Sequence, residues 1–197
     1  DAGMDSFIRA IMDEYHIAGG AYCVVKDGEI VWKQNKGYAN IDENRLVTDS
    51  TEFRMASISK TFTATALMQL WEDGFFELDN NINDYLPDDL QVHNHYYPEA
   101  IITFRMLLLH TSAIKDEQHI LASLETQGDP QVPLDTFLTN YLVPGGDYYY
   151  NSNFYNMKPG AEYKYSNVAY ALMGYIVEVM SGMPFNQYCL EHIFEPL

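Results

Sequence analysis

Hydrophobic and polar positions alternate with two different periods in the first part of the chain. Near the N-terminus, apolar residues recur at helical spacing, which predicts an amphipathic helix packed on a sheet. They are Met4, Phe7, Ile8, Ile11, Met12 and Tyr15. Residues 20–26 and 29–36 are rich in β-forming residues and flank the turn dipeptide Asp27-Gly28, which predicts a β-hairpin.

Beyond residue 50 the pattern is mostly helical. Residues 58–71 are apolar almost all round, which predicts a buried helix that ends at Asp73-Gly74. A connecting segment at 77–85, a short helix at 102–110 and an apolar helix at 168–180 follow. The predicted class is α+β, with residues 1–50 as the N-terminal part of a sheet lobe and residues 51–197 as a mostly helical lobe.

Composition narrows the possible partners. The 197 residues are 47% hydrophobic, which is enough for a core in one domain or two closely packed lobes. Eleven basic residues stand against 28 acidic ones, a net charge of -17 that repels phosphate backbones and anionic membrane surfaces. We therefore expect no nucleic-acid binding, and no stretch of the sequence is typical of a membrane span.

Ser57 and Lys60 carry the candidate chemistry, because a spacing of three residues places both side chains on one face of the predicted helix. At that distance Lys60 could accept the hydroxyl proton and make Ser57 a usable nucleophile. The same spacing recurs at Ser112 and Lys115, where no buried helix is predicted behind it. Context therefore favours Ser57.

Tyrosines crowd the glycine-, proline- and asparagine-rich stretch 141–165. They could wall a pocket or only pack the loop down, and the sequence leaves both readings open. The spelling Tyr-x-Asn occurs at Tyr38, Tyr149 and Tyr165. Of the three, only Tyr165 directly precedes a predicted helix N-cap, at Ser166 or Asn167, which would hold it rigidly.

Together these motifs resemble the serine β-lactamase and penicillin-binding protein superfamily, on the branch of class C β-lactamases, DD-peptidases and related esterases. The resemblance rests on Ser57-Ile58-Ser59-Lys60, on Tyr165-Ser166-Asn167, and on segments 78–87, 102–112 and 193–197. It implies a β-lactamase-like fold with a terminal helix, an antiparallel hairpin and an all-α lobe.

The resemblance also implies roles for these residues. Ser57 would attack a carbonyl and form an acyl-enzyme, Lys60 and Tyr165 would share the general-base work, and Asn167 would hydrogen-bond the substrate amide. The substrate would be a β-lactam, a D-alanyl peptide or a small ester, and no cofactor is implied. The alternative is a non-catalytic sensor module that binds penicillin or peptidoglycan.

The family's C-terminal strands and its third motif are missing from the sequence. Lys26-Asp27-Gly28 and Lys158-Pro159-Gly160 match the triplet Lys-x-Gly by letters, but both are typical of turns. We therefore expect the N-terminal part of a longer protein, with a complementary C-terminal chain or a homo-oligomer at the open edge of a two-stranded sheet. Export to the periplasm or the cell exterior is a further family-based expectation.

The histidines and cysteines suggest structural roles. His110 lies in a His-Thr-Ser turn that the family uses to shape its helical lobe, and the other histidines lack metal-ligand spacing, so we expect no metal site. For Cys23 and Cys189 we expect two buried thiols, with a disulfide as the alternative.

Overall fold

A computed structural model describes residues 2–128 and 131–197. The chain divides into two units, the first ending at Met55 and the second comprising Ala56–Leu197. The α+β class expected from the sequence is confirmed, since the described residues form helices and a small antiparallel sheet.

The first unit contains helix α1, Ala2–Glu14, and strands β1, Gly19–Lys26, β2, Glu29–Asn40, and β3, Arg45–Leu46. All three strands are antiparallel, in the order β1-β2-β3. The hairpin prediction is confirmed, because Asp27 and Gly28 both adopt positive φ, 53° and 80°, and form the tight turn between β1 and β2. The prediction of a two-stranded sheet is wrong, because β3 adds a third strand. With two residues, β3 is too short to show a periodic pattern in the sequence.

Helix α1 packs on this sheet as predicted. Ile8 and Met12 are buried on its apolar face, whereas Phe7 and Tyr15 at its margins are exposed. Asp5 on α1 pairs with the nearly buried Lys36 of β2, which ties the helix to the strand.

The second unit is helical, as expected. Its helices are α2, Ser59–Glu72, α3, Phe104–Leu108, α4, Gln118–Ser123, α5, Leu134–Leu142, α6, Asn167–Ser181, and α7, Phe185–Cys189, which continues into a π-helical segment, Leu190–Phe194. A 3-10 turn, Ala56–Ile58, leads directly into α2. Within the described part of this unit, extended pairing is limited to two isolated bridges, Asn81 with Thr103 and Ile114 with Phe154.

Helix α6 lies at the centre of the core of the second unit. Leu172, Met173, Ile176 and Val177 are all fully buried on it. The helix ends at Gly182, which adopts the left-handed conformation that glycine accepts without a side-chain clash. The apolar helix predicted at 168–180 is confirmed.

Helix α2 is buried on one face rather than all round. Ala66, Leu67 and Leu70 are buried in the core that they share with α6, whereas Ile58 and Trp71 are exposed. The prediction of a fully buried helix is therefore wrong in this respect, because neighbouring elements of the unit cover one stripe of the apolar surface. Its predicted end is correct, since α2 stops at Glu72 and Asp73 caps it.

The cysteines differ from expectation. Both are free thiols, but only Cys189 is buried, whereas Cys23 lies on an exposed stretch of β1. Among the described residues no group of three or more His, Cys, Asp or Glu side chains could hold a metal ion. No single helix in 2–128 or 131–197 is long and apolar enough to cross a membrane. Asn167–Ser181 and Phe185–Phe194 together have sufficient length and apolar composition, but the pair is bent by 82°.

We predict that Leu172→Ala lowers the free energy of unfolding of the second unit by about 2–5 kcal/mol, because it leaves a cavity beside α2 and α6. Leu190→Ala, at a half-exposed leucine, is the matched control and should cost less than about 1 kcal/mol. Urea unfolding can be followed by Trp71 fluorescence in a Trp32→Phe background, since Trp32 lies in the first unit. Equal losses in both variants would contradict a core centred on α6.

Candidate active site

The packing of α2 against α6 brings the four predicted site residues together within the second unit. Ser57 lies in the 3-10 turn that leads into α2, and Lys60 lies in the first turn of that helix. Tyr165 directly precedes Ser166, the N-cap of α6, and Asn167 is its first residue. Ser57 and Tyr165, which are 108 positions apart in the sequence, thus meet in one cluster at two helix N-termini.

Ser57 is in hydrogen-bond contact with both proposed base residues. Its Oγ lies 2.6 Å from the Tyr165 hydroxyl oxygen, where either atom could donate, and 3.4 Å from Lys60 Nζ. Lys60 Nζ also lies 4.8 Å from the centre of the Tyr165 ring. Ser57 is exposed and Tyr165 is 40% exposed, so a substrate can reach the hydroxyl pair.

The side-chain amide of Asn167 links Lys60 to a carboxylate. Its Oδ1 accepts a hydrogen bond from Lys60 Nζ at 2.6 Å, and its Nδ2 donates to Asp116 Oδ2 at 2.8 Å. Asn167 therefore holds Lys60 by a hydrogen bond that needs no substrate. One N–H of its amide and a second lone pair of its oxygen are still available by chemistry.

His110 supports Tyr165 from behind. Its ring lies between the rings of Tyr165, at 4.4 Å, and Tyr170, at 4.7 Å, and its Nδ1 accepts a hydrogen bond from the Ser166 backbone N–H at 3.1 Å. Because it holds the residue before α6 in place, it has the structural role that the sequence favoured. Its φ of 55° is unusual for a residue with a side chain.

The electrostatic environment favours proton transfer at Tyr165. Hydrogen bonds from Lys60 and then from Ser57 lower the pKa of the Tyr165 hydroxyl below its ordinary value, because they stabilise the phenolate. Burial, followed by the positive charge of Lys60, lowers the pKa of His110. His110 is thereby kept neutral, as a hydrogen-bond acceptor must be.

The second Ser-x-x-Lys spacing and the two Lys-x-Gly triplets lie in environments that do not suit a catalytic role. Ser112 is buried, and its Oγ accepts a hydrogen bond from the Ile114 backbone N–H at 3.4 Å. Lys115 is engaged in an ion pair with Glu117 at 2.6 Å. Gly28 and Gly160 both lie in turns, so neither Lys-x-Gly triplet forms a strand that could line a site.

The tyrosine-rich stretch serves mainly for packing. Tyr141 is fully buried, accepts a hydrogen bond from the Glu117 N–H and donates one to the Lys115 carbonyl. Tyr148 and Tyr149 pack against the same core. Besides Tyr165 itself, Tyr163 reaches the neighbourhood of the site, with its ring centre 5.7 Å from that of His110.

Asp116 is the site residue that sequence reasoning missed. It follows Lys115 in a short polar stretch without hydrophobic periodicity. It contacts α6 because the loop after α3 folds back over the N-terminus of that helix. Acidic residues often lie near helix N-termini, but that preference is too general to identify Asp116 from the sequence.

Comparison with known proteins places the whole second unit and most of the first in one family. The family model described as Beta-lactamase matches residues 4–197. "Protein flp" of Staphylococcus aureus (strain MW2) is 26% identical over 194 residues, which are 98% of this chain and 36% of that protein. The chain thus spans about a third of the length of this curated relative.

Two solved structures share the fold. An octameric penicillin-binding protein homologue from Pyrococcus abyssi matches with a TM-score of 0.74 and 30% identity, over 100% of this chain and 43% of that one. D-amino acid amidase from Ochrobactrum anthropi SV3, complexed with L-phenylalanine amide, matches with a TM-score of 0.74 and 25% identity, over 98% of this chain and 51% of that one.

We predict that Tyr165 ionises below the ordinary range of tyrosine, about pH 10. The absorbance difference between the unsubstituted chain and Tyr165→Phe, recorded against pH, isolates this group among the 16 tyrosines. Lys60→Met should move the midpoint upward, because it removes the ammonium that stabilises the phenolate.

Tyr141→Phe supplies the contrast for this titration. Burial raises the pKa of the Tyr141 hydroxyl, so its difference curve should rise at higher pH than that of Tyr165. A Tyr165 midpoint that coincides with or exceeds that of Tyr141 would contradict the proposed stabilisation by Lys60.

Proposed function

The chain belongs to the Beta-lactamase family, and on that premise we propose that it is a serine hydrolase that cleaves an amide or ester through an acyl-enzyme on Ser57. The observation that carries the proposal is the 2.6 Å contact between Ser57 Oγ and the Tyr165 hydroxyl, with Lys60 Nζ 3.4 Å from the same Oγ. A hydroxyl held between a tyrosine of lowered pKa and an ammonium is prepared to lose its proton.

In the acylation step, Ser57 Oγ forms a bond to the substrate carbonyl carbon as its proton passes to the Tyr165–Lys60 pair, which accepts it in the form in which Tyr165 is a phenolate beside the Lys60 ammonium. The tyrosine oxygen is the nearer of the two and so the better placed to receive it. The same proton then goes to the departing nitrogen or oxygen when the C–N or C–O bond of the substrate breaks. Ser57 is left as an ester.

Deacylation repeats these transfers with water. A water molecule gives a proton to the Tyr165–Lys60 pair as its oxygen attacks the ester carbon, and Ser57 regains a proton as the acid product leaves. The backbone N–H of Ser57, in the 3-10 turn that leads into α2, would stabilise the developing oxyanion, because the N–H groups where a helix begins have no intrahelical partner.

For the substrate we propose a small amide or ester, of the class that includes β-lactams and D-amino-acid derivatives. The likeness to a D-amino acid amidase and to a penicillin-binding protein homologue supports this range. Asn167, at the N-terminus of α6 beside Lys60, is the residue we propose to contact the substrate amide.

We predict a single covalent adduct on Ser57 when the protein is incubated with a fluorophosphonate probe or, separately, with a penicillin. Intact-mass spectrometry detects the adduct, and Ser57→Ala should abolish it. Ser59→Ala, at an exposed serine two residues away, is the matched control and should retain it. A folded protein that forms no adduct, yet binds the penicillin reversibly, would instead support a non-catalytic binding module.

We further predict that Tyr165→Phe and Lys60→Met each slow modification of Ser57 by about 10²- to 10⁴-fold, the usual contribution of a positioned general base. The rate constant for probe labelling measures this effect. Tyr163→Phe removes a hydroxyl from a nearby exposed tyrosine and should leave the rate unchanged. If Tyr165→Phe behaved like Tyr163→Phe, the Tyr165 hydroxyl would have no role in the proton transfer.

A further inference from the structure

Asp116 gathers four hydrogen bonds at the N-terminus of α6. Its Oδ1 accepts from Ser166 Oγ at 2.9 Å and from the Val168 N–H at 3.1 Å. Its Oδ2 accepts from the backbone N–H and from the side-chain Nδ2 of Asn167, both at 2.8 Å. Both oxygens of one carboxylate are thus committed to three consecutive residues that follow Tyr165.

The bond to Asn167 Nδ2 fixes which way the amide of Asn167 points. An ionised carboxylate can only accept hydrogen bonds, so the NH₂ group must face Asp116 and the carbonyl oxygen must face Lys60. The flipped amide would set an oxygen against the carboxylate and an NH₂ group against the ammonium. Both of those contacts are repulsive, so the charges on the two sides select one orientation.

The orientation of Asn167 in turn holds Lys60. Asn167 Oδ1 occupies one of the three N–H directions of the ammonium at 2.6 Å, a shorter contact than the 3.4 Å from Lys60 Nζ to Ser57 Oγ. The remaining directions can then serve Ser57 Oγ at 3.4 Å and the Tyr165 side. A Lys60 released from Asn167 would have four rotatable bonds over which to lose this alignment.

We propose that Asp116 is a positioning residue of the Ser57 site, acting through the amide of Asn167 on Lys60. This inference rests on the proposed function and adds to it the chain of contacts from Asp116 through Asn167 to Lys60. Capping of α6 alone would need only the bonds to the backbone N–H groups of Asn167 and Val168. It would not account for the bond to Asn167 Nδ2.

The variant Asp116→Asn separates positioning from capping. Its remaining oxygen can still accept from a backbone N–H at the start of α6, but its new NH₂ group can donate to Asn167 Oδ1 and let that amide turn away from Lys60. We expect the rate of Ser57 labelling by a fluorophosphonate probe to fall at least about tenfold. The side-chain amide resonances of Asn167 should shift in the ¹⁵N–¹H spectrum, while the folded fraction stays unchanged.

Glu117→Gln is the matched control. It removes a carboxylate charge at the next residue, whose side chain pairs with Lys115 rather than with Asn167. Both the labelling rate and the Asn167 resonances should stay as in the unsubstituted protein. An equal loss of rate in the two variants would show a general charge effect and overturn the positioning role.

A folded Asp116→Asn protein with an unchanged rate and unmoved Asn167 resonances would also overturn it. Should that variant fail to fold, the ¹⁵N–¹H spectrum of the unsubstituted chain tests the proposal instead. A carboxylate-bound Asn167 amide has one proton shifted downfield and protected from exchange. Two equivalent, rapidly exchanging protons would overturn the proposal. Should the unsubstituted chain form no adduct, the proposed hydrolase function fails, and the Asn167 resonances alone support or overturn the contact chain.

Discussion

The packing of α2 against α6 is the constraint on which the rest of the second unit depends. Two helices whose apolar faces bury Leu67 and Leu70 on one side and Leu172 and Ile176 on the other are held at fixed separation by close-packed side chains. Their N-termini then lie side by side. Polar residues at those termini meet because the core fixes the helices, and the hydrogen bonds of the site refine an arrangement that burial has already set.

Three of the described residues that carry side chains adopt left-handed backbone conformations near this junction. Ala56, with φ of 45°, directly precedes Ser57, and His110 and Ala113, with φ of 55° and 63°, shape the loop that carries Asp116. Such conformations cost of order 1 kcal/mol each and persist only where surrounding contacts require them. For His110 and Ala113 those contacts are the Tyr165 ring beside the His110 ring and the full burial of Ala113, so the core supports the strain in the loop that carries Asp116.

Patterns that depend on local sequence predicted much of this architecture. The hairpin at Asp27-Gly28, the end of α2 at Asp73 and the end of α6 at Gly182 each carry a short-range backbone signal. Ser57 and Lys60 were predicted on one helix face because their spacing is local. Asp116 escaped prediction because its partners lie some fifty residues away, and nothing in a polar loop shows which helix it will cap.

The hydrogen bonds of the site fit one assignment of charges. Asp116 faces four donors at the N-terminus of α6, all of which the two oxygens of a carboxylate can accept. Lys60 donates to Asn167, and its hydrogen bond and positive charge lower the pKa of Tyr165. His110 must be neutral to accept from Ser166, and burial and Lys60 both lower its pKa. Lys60 thus joins the two halves of the site, because it contacts Ser57 and Asn167 and lowers the pKa of both Tyr165 and His110.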